Sequence, residues 1–117
     1  MREHIRTYLE HITAEKNYSA HTATAYAVDL AQFHEFLKRH FAGEDVHLSK
    51  IDHLTIRLFL GDLLEHGKSK KSAARKLAAV RSFFKYLVKL KKISYNPSVH
   101  VVLSRLPKRL PSFLDEA

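Results

Sequence analysis

Between Lys68 and Lys92 the chain reads KSKKSAARKLAAVRSFFKYLVKLKK, 25 residues with ten Lys or Arg and no Asp or Glu. Cations at that density, unrelieved by carboxylates, suit one task above others, the neutralisation of a polyanion. An ordinary solvent-facing helix mixes signs, because opposite charges three or four apart attract and like charges repel. Lys68, Ser69, Lys70, Lys71 and Ser72 set hydroxyls and ammonium groups at a helix start, where free backbone N–H groups and the helix dipole already favour phosphate. A second group, Ser19, His21, Thr22 and Thr24, puts small donors at another helix start, within reach of phosphates or base edges. Capping alone explains Ser19 well and His21 and Thr24 less well, so both readings stand at this point.

Helices must carry these groups. Leu77, Val80, Phe84, Leu87 and Val88 step by three and four, while Arg81, Lys85, Lys89 and Lys92 keep the same step on the opposite side, which predicts a two-faced helix from after Ser69 to near Lys91. Ile5, Tyr8, Leu9 and Ile12 mark a first helix over roughly residues 2 to 15. Ser19 caps a second, running to about Phe41 with Thr22, Tyr26, Leu30, Phe33, Leu37 and Phe41 on one face. Ala42, Gly43, Glu44 and Asp45 break it. Ser49 or Asp52 caps a third, carrying Leu54, Leu58, Phe59 and Leu63 and closed by His66 and Gly67. Asn96 before Pro97 turns the chain, and residues 98 to 104 suit a short helix or an extended segment. The expected fold is all-α, a compact four-helix bundle over residues 1 to 105, followed at 106 to 117 (LPKRLPSFLDEA) by an exposed linker, as though cut from something longer.

The 117 residues, 45% of them hydrophobic, suit one domain with its own core. Net charge is +8 and the isoelectric point near 9.8. The excess is one-sided: residues 1 to 58 carry −1 and residues 59 to 117 carry +9, so the second half is the polyanion magnet. With no cysteine there is no disulfide, thiol nucleophile or thiolate metal site, which is compatible with a reducing cytoplasm. The first residues do not form a signal peptide and no run reaches membrane-spanning length, so a soluble protein without membrane partners is expected. The nine histidines include no pair three or four apart, and a helical zinc site needs such pairs, so neither a metal nor another cofactor is expected. Membrane-surface binding through the basic helix conflicts with the need of a four-helix core for its apolar face. A helical module that holds an acidic protein remains the alternative to nucleic acid.

Three segments carry a family resemblance: YSAHTATAYAVDLAQFHEFL at 18 to 37, IRLFLGDLLEHGKSKKSAARKLAAVRSFFKYL at 56 to 87, and NPSVHVVLSRLPKRLPSFL at 96 to 114. The chain resembles the N-terminal core-binding, SAM-like domain of tyrosine recombinases of the phage integrase family, near the bacterial Xer type. The resemblance implies a helical domain that docks on double-stranded DNA as one half of a C-shaped clamp, through its second and fourth helices. Carried over by position, it points to Ser19, His21 and Thr22, and to Lys68, Ser69, Lys70, Lys71, Ser72, Arg75 and Lys76, as DNA contacts. Arg81 matches a family arginine whose role is a phosphate contact or an intradomain bond. The family's Arg, His and Tyr chemistry lies in a separate C-terminal domain, and no His-x-x-Arg box occurs here. No catalytic residue and no strand cleavage by this chain alone are therefore expected. Family members assemble as tetramers of recombinase protomers, with the isolated domain expected to be monomeric.

Overall fold

A computed structural model describes residues 1–15, 17–43 and 46–103. Among them, four α-helices follow one another: α1 (Arg2–Ala14), α2 (Ala20–His40), α3 (His53–Glu65) and α4 (Lys70–Lys89), with a 3-10 turn at Leu48–Lys50. No strand occurs among the described residues, so the architecture is the all-α, four-helix one that the periodicity predicts. The expected linker at 106 to 117, and the last two residues of the expected domain, lie outside the described residues.

Three of the helices start on side-chain caps. Ser19 Oγ accepts from the Thr22 N–H at 3.0 Å, Asp52 Oδ1 from the Thr55 N–H at 2.9 Å, and Ser69 Oγ from the Ser72 N–H at 3.0 Å. Asp52, rather than Ser49, is thus the cap of α3. The Thr55 hydroxyl donates to the same oxygen, and these bonds to its charged form hold the Asp52 carboxyl below its ordinary pKa.

Three helices also end alike. After α2, α3 and α4 the chain closes with paired backbone bonds, Gly43 N–H to Lys38 O with Ala42 N–H to Arg39 O, Lys68 N–H to Leu63 O with Gly67 N–H to Leu64 O, and Lys92 N–H to Leu87 O with Lys91 N–H to Val88 O. This pattern needs a left-handed residue in the middle. Gly67 (φ 84°) supplies it after α3, but Ala42 (φ 55°) and Lys91 (φ 63°) supply it elsewhere.

The core gathers on α4, which packs against all three other helices. Phe83 and Phe84 are adjacent, hence about 100° apart around the axis, and they serve different neighbours. Tyr8 of α1 meets the edge of Phe83 at 5.6 Å, while Phe33 of α2 lies 6.1 Å from Phe84 and 5.0 Å from Phe59 of α3. Burial pushes the Tyr8 phenol up, and its hydroxyl donates to Ser82 Oγ at 2.6 Å. Ile5, Tyr8 and Ile12 are all buried within the bundle.

The third helix differs from expectation. Leu54 and Leu58 are 53% and 47% exposed, and the buried face is Thr55, Ile56, Phe59, Leu60 and Leu63. Apolar residues nearly all round this helix offer two stripes that share Phe59 and Leu63, and packing against α2 and α4 selects the one through Ile56 and Leu60. Of the segment expected at 98 to 104, residues 97 to 100 form a turn and residues 101 and 102 are irregular, while residue 104 lies outside the described residues.

Two predictions follow from these local features. Replacing Ala42 or Lys91 by Gly relieves the left-handed strain and should raise unfolding stability by about 0.5–1 kcal/mol each, whereas Gly67→Ala should lower it by about 1 kcal/mol; urea denaturation at constant m-value reads both signs. The second concerns His34, which is buried on α2 with Nε2 lacking a hydrogen-bond partner among the described residues. Burial first, then the charges of Lys38, the N-terminus and Arg2, lower its pKa, Glu35 opposing. The unfolded chain then takes up a proton near pH 6.5 that the folded one refuses, so stability should fall as pH drops below about 6.5 toward the lowered folded value. Denaturation at pH 7.5 and 5.5 should show that loss in the wild type and a smaller one in His34→Leu.

Candidate nucleic-acid interface

The start of α4 is fixed by the chain on both sides. The closure of α3 ends at Lys68, and Ser69 immediately caps α4, so no slack separates the helices. Lys68, Ser69, Lys70 and Lys71 are exposed and Ser72 is half-buried. Ser69 takes the N–H of Ser72, while those of Lys70 and Lys71 have no partner within the helix itself. Lys68, Lys70 and Lys71 make no ion pair among the described residues. The result is a cationic helix start with backbone donors facing water, the arrangement that favours phosphate.

The start of α2 is a separate platform. Ser19 and Thr22 hold each other, the hydroxyls 3.0 Å apart in addition to the cap bond, so capping accounts for both. His21 and Thr24 are exposed and outside that arrangement. The Tyr18 hydroxyl lies 3.2 Å from Ser82 Oγ, which sets the α2 start beside the middle of α4. Ser82 is about 20 Å along the α4 axis from Ser69. The two groups of donors therefore do not merge into one patch.

Between them stands an acidic residue that the sequence reading passed over. Asp29 is 0% exposed, and two successive residues of α4 close on it. Arg75 donates through Nε to Oδ2 at 3.0 Å and through Nη2 to Oδ1 at 2.7 Å, and Lys76 Nζ donates to Oδ1 at 2.8 Å. The bonds to Asp29 raise the Arg75 pKa further. Lys76, expected to face DNA, is 3% exposed and turned inward; at helical spacing it falls on the buried side with Ala73, Leu77 and Val80. Arg75 keeps a 48% exposed side chain, its Nη1 uninvolved with the carboxylate. A signal for Asp29 existed: it is the sole formal charge from Asn17 to His34 and sits beside Leu30 on the apolar side of α2. A lone carboxylate at such a position requires a buried partner.

Arg81 makes the intradomain bond of its two possible roles. Its guanidinium donates to the carbonyls of Ser98 and Val101. Asn96 Nδ2 donates to Arg81 O at 3.3 Å, while Asn96 Oδ1 accepts from the N–H and hydroxyl of the buried Ser98. Residues 96 to 101 are thereby fastened to α4. Among the described residues, no three His, Cys, Asp or Glu are grouped to hold a metal, and no helix is long and apolar enough to cross a membrane.

Comparison with known proteins gives a consistent picture. Residues 5–91 match the model of the phage integrase N-terminal SAM-like domain. The tyrosine recombinase XerC of Chlorobaculum parvum is 40% identical over 116 residues, covering 96% of this chain and 34% of that protein. XerC of Pelobacter propionicus is 38% identical over 113 residues (97% and 37%), and XerC of Thermodesulfovibrio yellowstonii 38% over 111 residues (95% and 35%). The chain thus spans about a third of the length of these curated relatives. No solved structure matches it significantly.

The Arg81 geometry generates a stability prediction. Arg81→Ala removes donors from two carbonyls and should cost about 2 kcal/mol, and limited proteolysis should then cut first between Asn96 and Val101. Unchanged stability and cleavage would show the fastening to be inconsequential.

Proposed function

The chain belongs to the phage integrase N-terminal SAM-like domain family, and from that premise we propose that it is a DNA-binding module of a site-specific tyrosine recombinase. In this reading it clamps duplex DNA at a recombination half-site and positions a catalytic domain there. The observation that carries it is the start of α4, where Lys68, Lys70 and Lys71 stand exposed and unpaired among the described residues beside free first-turn N–H groups. Arg75, half-exposed, adds a fourth cation. Phosphate contacts by these four supply most of the affinity, and His21 and Thr24 on α2 are the side chains left available for base edges. Ser19, Thr22, Ser69 and Ser72 contribute by shaping the two helix starts. Lys76 and Arg81 support the surface from inside the domain.

Strand cleavage and rejoining we assign to the remainder of a longer recombinase, and assembly with other protomers to that protein on DNA. This chain alone is expected to bind without nicking and to remain monomeric in solution.

With four contributing cations, the logarithm of the binding constant should fall against the logarithm of salt with a slope of about −3 to −4. Lys68→Gln, Lys70→Gln and Lys71→Gln together should flatten that slope by about 2 to 3 and weaken specific and random duplexes alike. His21→Ala should instead change the ratio between them. Fluorescence anisotropy on labelled duplexes reads all three, and an acidic protein that binds tightly where duplexes do not would favour the protein-interaction alternative.

A further inference from the structure

The Asp29 site has an unusual charge balance. One fully buried carboxylate receives two cations, so the cluster carries a net +1 across the α2–α4 contact. Its three charges do not share that excess equally. Lys76 is enclosed with its ammonium on Oδ1, and Asp29 is enclosed altogether. Only Arg75 reaches water, and its orientation is fixed because Nε and Nη2 both engage the carboxylate. A bidentate guanidinium lies in the plane of its acceptor, so the unused Nη1 edge is held in one outward direction. Free arginines give up rotamer entropy when they bind; this one has already done so.

We infer that Asp29 is a positioning residue for phosphate recognition, holding Arg75 so that its outward Nη1 edge meets one backbone phosphate, with Lys76 serving to keep the enclosed carboxylate neutralised rather than touching DNA. The inference rests on the duplex-binding reading and extends it to residues inside the domain. It also has a consequence opposite to simple charge counting. Removing the Asp29 charge makes the chain more cationic, which by long-range attraction alone strengthens DNA binding. Positioning requires the reverse.

The test is a double-mutant cycle on random-sequence duplex, measured by anisotropy, with circular dichroism establishing that each variant is folded at the assay temperature. Arg75→Gln should weaken binding about tenfold and flatten the salt slope by about 1. Asp29→Asn should also weaken binding, despite the added positive charge. Because that variant leaves Lys76 enclosed without a counter-charge and risks unfolding, the second background is Asp29→Asn with Lys76→Met, which leaves net charge unchanged. In that background Arg75→Gln should cost less than about twofold, since Arg75 is no longer held. A full tenfold cost there overturns the inference, as does tighter binding by a folded Asp29→Asn. Independently of DNA, the Arg75 Nε–H resonance should exchange slowly in the wild type and rapidly in the double variant. Absence of salt-dependent duplex binding by the wild type overturns this inference and the functional reading together, whereas wild-type binding with an additive cycle overturns this inference alone.

Discussion

The relation between α2 and α4 depends on a carboxylate that cannot reach water. An ionised group enclosed in a protein is tolerable only when it is paired and its lone pairs are satisfied, and removing one side of such a pair typically costs about 3–5 kcal/mol. Asp29 meets that condition through three donors from Arg75 and Lys76. These bonds are directional in a way that the surrounding rings are not. Phe33, Phe83 and Phe84 hold the helices together, yet apolar contact tolerates a small slide or rotation. A bidentate guanidinium with an ammonium on the same oxygen does not. The rotational setting of α4, and hence the direction in which its first turn faces, is fixed by a polar device within an apolar core.

This arrangement divides the basic helix in a way that composition cannot. The run from Lys68 to Lys92 contains ten cations, and counted as a surface they look equivalent. In the folded chain Lys76 neutralises a carboxylate and Arg81 ties down the carbonyls of Ser98 and Val101. Lys68, Lys70, Lys71, Arg75, Lys85, Lys89, Lys91 and Lys92 remain exposed. The inward cations are withdrawn from direct contact with a ligand, and the proposed phosphate contacts fall to the helix start. A salt dependence estimated from the raw charge of the helix overstates the number of phosphates neutralised.

Much of the fold was legible in the sequence because it is set by local rules. Caps at Ser19 and Ser69, the stop at Gly67 and the stripe from Leu77 to Leu87 each depend on a few neighbouring residues, and each lies where local chemistry puts it. The errors arise where a choice is made by tertiary contact. Leu54 and Leu58 fit a helical stripe as well as Ile56 and Leu60 do, and only packing against the neighbouring helices decides between them. Arg75 and Lys76 differ by a single step, yet that step carries one outward and the other inward. The candidate site was legible at the helix starts and illegible at its support, since nothing local announces which cations a distant carboxylate will claim.

The connection between α3 and α4 shows why the helix start is itself so well defined. Lys68 ends the backbone closure of α3 by donating to Leu63 O, and the next residue, Ser69, is already the cap of α4. A longer linker would leave the first turn of α4 free to fray, because the terminal N–H groups have no helical partner. Here the left-handed Gly67 permits the reversal, the Ser69 hydroxyl holds the first turn, and Asp29 holds the second. Three constraints of different kinds thus converge on about two turns of helix. A surface meant only to be soluble has no need of such fixity; one that must meet phosphates at set spacing gains from it, because the entropy of ordering has been lost before the ligand arrives.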